Sequence, residues 1–121
     1  MRTRQTLFLL CLGAMLSGPA LAEAPKTQNG HFIDANGASL YTFDKDMGGK
    51  SACMDQCAKN WPPALAGQED TASGDWTFAE SHDGKRQWAY KGKPLYMFAK
   101  DAKPGDTSGD GVGGVWHLAK P

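Results

Sequence analysis

From residue 30 onward the chain is built of short runs in which apolar and polar positions alternate. In Leu40-Tyr41-Thr42-Phe43-Asp44 the aromatics Tyr41 and Phe43 share one face, and Leu40, Thr42 and Asp44 the other. That is a strand pattern. Residues 95–99 repeat it, with Tyr96 and Phe98 opposed to Leu95, Met97 and Ala99. Further strands are expected at 31–34, 76–80, 87–90 and 115–118. Asp34-Ala35-Asn36-Gly37 predicts a turn that pairs the first strand with 40–43. Asp83-Gly84 is a hairpin signal between 76–80 and 87–90, and Lys91-Gly92-Lys93-Pro94 turns into the next strand. Closely spaced hairpins predict a mainly antiparallel sheet.

One segment reads as a helix. Ser51 is the expected cap of residues 52–60, and Met54, Cys57, Ala58 and Trp61 fall on one apolar stripe. Pro62-Pro63 ends it. Residues 104–114 are too rich in glycine for a helix and predict a loop. Residues 68–74 read as a polar connector.

The two aromatic strands belong to an internal duplication. Gly37-x-x-Leu40-Tyr41-x-Phe43-x-Lys45-Asp46 recurs as Gly92-x-x-Leu95-Tyr96-x-Phe98-x-Lys100-Asp101, a constant offset of 55 residues that also carries Trp61 onto Trp116. Two copies are too few for a solenoid. The expected fold is therefore mainly β: a compact antiparallel barrel- or sandwich-like domain of two pseudo-symmetric repeats, about 37–61 and 92–116, with one short helix.

The N-terminus changes the picture of where this domain works. Arg2 and Arg4 precede the apolar run 7–16, Ser17-Gly18-Pro19 breaks it, and Ala20-Leu21-Ala22 is an A-x-A cleavage site. These are the parts of a secretory signal, and the run is too short to span a bilayer. Residues 1–22 are thus expected to be a cleaved signal peptide, 23–29 a flexible tail and 30–121 a single β-rich domain. Cys11 follows Leu10 rather than a small residue, and the apolar run continues past it, so lipidation is not expected. The predicted protein is soluble, in the periplasm or secreted, with no transmembrane segment in the mature chain. The whole chain has 13 basic and 13 acidic residues. Loss of two arginines leaves a slight negative balance, which gives no electrostatic case for nucleic acid.

Cys53 and Cys57 remain after cleavage, and an even count in an oxidising compartment favours a disulfide. In a regular helix, Cβ atoms four residues apart are about 5–6 Å from one another, whereas a disulfide needs roughly 3.5–4.5 Å. Either the helix is distorted there or the thiols are not joined to each other; a bridge in an irregular turn is the favoured reading.

Candidate chemistry is sparse. Tyr41 with Asp46, and Tyr96 with Asp101, would make two equivalent polar sites. The same residues also suit a structural role, aspartates capping turns and tyrosines burying their rings. His31, His82 and His117, with Met47, Met54 and Met97, are copper-type donors, but none lie at ligand spacing. Asp106-x-Ser108-x-Asp110-Gly111 matches the first half of a calcium loop and lacks the closing glutamate, His117 standing at that position. No nucleophile–base arrangement and no phosphate loop is present. No metal site, cofactor or catalytic residue is predicted.

The Tyr-x-Phe-x-x-Asp segments with their downstream tryptophans resemble an exported bacterial repeat family with the motif Tyr-x-(Phe/Trp/Tyr)-x-x-Asp. Cys53-x3-Cys57-Ala58-x-x-Trp61-Pro62-Pro63 and Gly111-Val112-Gly113-Gly114-Val115-Trp116-His117 are similar to its recurring segments, and the resemblance covers nearly all of 30–119. Many members carry a predicted-lipoprotein label, and the family has no settled function. The resemblance marks Tyr41, Phe43, Asp46, Trp61, Tyr96, Phe98, Asp101 and Trp116 as the repeat motif. The expected role is an exported, non-catalytic binding or interaction module whose partner is an envelope protein or small ligand. An envelope redox or copper-handling accessory is the alternative.

Overall fold

In a computed structural model, residues 24–47 and 50–121 are described. The expected leader and its cleavage site at Ala22 lie outside them. The described residues form seven short strands, β1 (Lys26–Gln28), β2 (His31–Ile33), β3 (Tyr41–Phe43), β4 (Trp76–Glu80), β5 (Arg86–Tyr90), β6 (Lys93–Pro94) and β7 (Trp116–Leu118). One helix, α1 (Gln56–Asn60), and a single 3-10 turn at Val112–Gly114 complete them.

All the sheets are antiparallel: β1-β2, β3-β7 and β4-β5-β6. Two-residue turns set the register of two hairpins. Asn29 and Gly30 have φ of 54° and 85°, and Lys91 and Gly92 have 51° and 82°. Positive φ at both central residues gives the turn twist that suits paired strands. The β4–β5 hairpin is longer, and there Ser81 N–H donates to Lys85 C=O at 2.9 Å. Arg86 then fixes the polar connector. Its guanidinium lies 3.8 Å over the Phe78 ring and donates to the carbonyls of Gly67, Gln68 and Asp70.

The duplication extends into the hairpins before the aromatic strands. Leu40 N–H donates to Phe32 C=O, and Phe32 N–H to Ala119 C=O. In the second copy Leu95 N–H donates to Trp88 C=O, and Trp88 N–H to Ala64 C=O. Phe32 and Trp88 are therefore counterparts, although their offset is one residue longer than that of the motif.

Both faces of the aromatic segments are buried. Leu40 and Leu95 enter one cluster with Phe32, Ala64, Trp88 and Ala119. Tyr41 and Tyr96 enter a second with Cys53, Trp61 and Trp116. The duplicated segments are thus the middle layer of a sandwich-like arrangement.

The structure departs from the sequence expectations at four places. The sheets do not close into a barrel: they are two- or three-stranded, and isolated bridges such as Tyr41↔Tyr96 and Leu65↔Gln87 tie them to the segments that run between them. The strand expected at 95–99 is reduced to bridges at Tyr96, which pairs with both Tyr41 and Pro63. Within the expected tail 23–29, Lys26–Gln28 pair with β2. The helix expected over 52–60 begins only at Gln56. Asp55 holds φ of 55°, and Ser51 does not cap it. Its apolar stripe is not buried as a unit: Trp61 is 5% exposed, Met54 56%.

Candidate functional site

The two copies meet at their tyrosines. Tyr41 N–H donates to Tyr96 C=O at 2.8 Å, and Tyr96 N–H to Tyr41 C=O at 2.9 Å. This reciprocal pair lies on the local twofold. The chains run antiparallel across it, so each tyrosine hydroxyl reaches the loop of the other repeat. Tyr41 Oη donates to Asp101 Oδ2 at 2.7 Å, and Tyr96 Oη to Asp46 Oδ2 at 2.5 Å. The pairs expected within each copy, Tyr41 with Asp46 and Tyr96 with Asp101, are therefore exchanged between copies.

Each aspartate uses its second oxygen on its own loop. Asp46 Oδ1 accepts Ala52 N–H at 2.7 Å, and Asp101 Oδ1 accepts Ser108 N–H at 3.0 Å. The spacing from strand to aspartate thus places one carboxylate where it closes a local loop and accepts the tyrosine of its sister repeat. Ser51 Oγ lies 2.7 Å from Tyr96 Oη, and Gly109 N–H donates to Tyr41 Oη at 3.2 Å. Burial, reinforced by the neighbouring aspartate, pushes both tyrosine hydroxyls above their ordinary range. Burial also raises the Asp46 carboxyl, against the lowering effect of its hydrogen bonds from Tyr96 and Ala52.

Four rings stack across the same axis. Phe43 lies on Trp116 with centroids 4.2 Å apart, Trp116 on Trp61 at 3.8 Å and 3°, and Trp61 on Phe98 at 4.0 Å. The tyrosines meet the stack edge-on, Tyr41 against Trp61 and Tyr96 against Trp116. Aromatic pairs contribute about 0.5–1.5 kcal/mol beyond area burial. Both tryptophans are 5% exposed, so this stack is core rather than a platform for a sugar or peptide.

The copies flank the stack differently. In the first, Cys53 and Cys57 form a disulfide with Cα atoms 5.2 Å apart, and Cys53 is buried in the aromatic cluster. The helix accommodates the bridge by being confined to residues 56–60. In the second, the glycine-rich loop brings Gly109 against the rings of Trp61 and Tyr41.

The remaining candidates do not converge. His31 Nε2 is 2.9 Å from Ser39 Oγ in the interior, His117 Nε2 is 2.8 Å from Asp44 Oδ2 at the surface, and His82 is exposed beside the hairpin turn. Met47 and Met54 are exposed, whereas Met97 packs on the first cluster. The calcium-like residues are turned to separate tasks. Asp106 accepts the N–H groups of Ala102 and Lys103, Ser108 bonds Asp101, and Asp110 accepts Leu118 N–H. Among the described residues no three His, Cys, Asp or Glu side chains are grouped as a metal ion would need.

Fold and motif together define a class: a small duplicated β scaffold whose repeats lock by exchanging tyrosine–aspartate hydrogen bonds. Residues 26–65 and 77–120 match a family described as a secreted repeat of unknown function, and the chain belongs to it. No curated protein and no solved structure matches the chain. Among the described residues no helix is long and apolar enough to cross a membrane.

Proposed function

We propose that the protein is a non-catalytic binding or interaction module that works in the periplasm or outside the cell. The observation that carries this reading is the internal use of the motif's polar chemistry. Both tyrosine hydroxyls donate to aspartates, and both aspartates also hold a backbone N–H. Groups committed in this way build a scaffold, which leaves the outer surface as the place for recognition. The redox or copper-handling alternative draws on the cysteine pair and the Met/His content. Burial of Cys53 and the separate environments of the histidines support it less.

The test is capture from envelope extract on the immobilised, folded chain, with a Trp61→Ala/Trp116→Ala chain as the unfolded control. Saturable retention of a protein or small molecule by the folded chain alone is expected. No specific retention would overturn the reading. In parallel, a Cys53→Ser/Cys57→Ser chain should retain the same material; loss of retention in a folded double variant would favour the redox alternative.

A further inference from the structure

The duplication produces two grooves in equivalent places. The first, of about 320 Å³, is lined by Thr42, Asp44, Lys91, Lys93 and His117 among others. The second, of about 370 Å³, is lined at the corresponding positions by Met97, Ala99, Asn36, Ala38 and Pro62. Each pair is separated by the 55 residues of the repeat. The copies therefore share the cavity and differ in what fills its rim: the polar and charged positions of the first groove are small, apolar or neutral in the second.

The first groove is cationic. Lys91, Lys93 and Lys120 are exposed on its rim, and among the described residues no carboxylate forms an ion pair with them. Asp44, hydrogen-bonded to His117 Nε2 at 2.8 Å, is outnumbered by the three lysines. The balance stays positive even with a terminal carboxylate on Pro121 counted. Below the rim, the half-buried Tyr90 and Leu118 supply apolar surface, and Lys91 Nζ stands 5.4 Å from the Tyr90 ring centroid. Ligand pockets span about 300–1,000 Å³, so this groove suits a molecule of about one ring. Apolar surface under a cationic rim selects an anion with an apolar body.

We infer that the first groove is a binding site for a small carboxylate carrying a single ring. The second groove, with Lys103 beside Asp101 and otherwise mostly apolar, lacks that charge. This assignment rests on the binding-module reading and names the ligand class for one surface of it.

Benzoate titrated into the purified, folded chain tests it, followed by amide shifts in two-dimensional nuclear magnetic resonance. Saturable shifts are expected at Lys91, Lys93, His117 and Leu118, with none at Ala38, Ala99 or Lys103. Acetate supplies the charge alone and benzyl alcohol the ring alone, so each should bind more weakly than benzoate. A Lys93→Gln/Lys120→Gln chain, altered only at exposed side chains, should bind benzoate about fivefold more weakly, as two surface charge contacts imply. Equal shifts in both grooves, shifts spread over lysines elsewhere, an unaffected double variant, or no saturable shift would each overturn the assignment. Benzoate failure with retained capture from envelope extract overturns this site alone; failure of capture strikes the wider reading.

Discussion

A β-carbon on Gly109 would lie 2.8 Å from the Trp61 ring and 2.9 Å from Tyr41. Neither ring can withdraw, since Trp61 is stacked between Trp116 and Phe98 and Tyr41 is tied to Asp101. Gly109→Ala should therefore destabilise the protein by about 1–3 kcal/mol, as overpacking does, measured by denaturant unfolding. The buried tyrosines make a second residue-level prediction. Their hydroxyls ionise less readily in the folded chain than in the unfolded one. The stability they contribute is whole below pH 10, near the unfolded value, and is lost as pH rises above it. Tyrosinate absorbance from Tyr41 and Tyr96 should appear together with loss of near-UV circular dichroism, and Tyr41→Phe/Tyr96→Phe should flatten the alkaline slope. Ionisation of these tyrosines in a still-folded chain would contradict this. Asp46 is also raised, so its ionisation lowers stability as pH rises through the carboxylate range.

At the scale of elements, the disulfide segment shows how far local pattern reaches. The bridge between Cys53 and Cys57 and the irregular turn around it follow from spacing and compartment. The late start of α1 does not. Asp55 adopts positive φ, and Ser51 turns its hydroxyl toward Tyr96 from the other repeat. The same hydroxyl also accepts Cys53 N–H at 3.2 Å, so it closes a local turn, and the positive φ of Asp55 delays the helix to Gln56. Cys53→Ser/Cys57→Ser should cost about 2 kcal/mol, from the loop-closure term for so short a loop, measured by thermal unfolding with and without reductant. A loss several times larger would mean that the bridge organises the aromatic cluster. The hairpin of β1 and β2 was missed, although Asn29-Gly30 is a two-residue turn signal. The polar, exposed Lys26–Gln28 run carries no alternation to support it, and so reads as tail.

For the whole molecule, the constant offset between copies revealed the pseudo-symmetry, and the alternation within each copy the β class. It did not reveal how the copies are joined. Tyr41 is close in sequence to Asp46 and remote from Asp101, so local reading pairs the wrong partners; the antiparallel contact of Tyr41 with Tyr96 decides the exchange. The two grooves were hidden for a similar reason, since each gathers residues from both halves of the chain. Interlocking implies that neither half is complete. Chains of residues 24–66 and 75–121 should each lack cooperative unfolding by circular dichroism and recover β structure when mixed. A half that folds alone would contradict the interlock. The exchange itself is tested most directly by double-mutant cycles on unfolding free energy. Tyr41→Phe with Asp101→Ala should show a coupling of about 1–3 kcal/mol, while Tyr41→Phe with Asp46→Ala should be additive within about 0.5 kcal/mol. Coupling confined to Tyr41 and Asp46 would contradict the account.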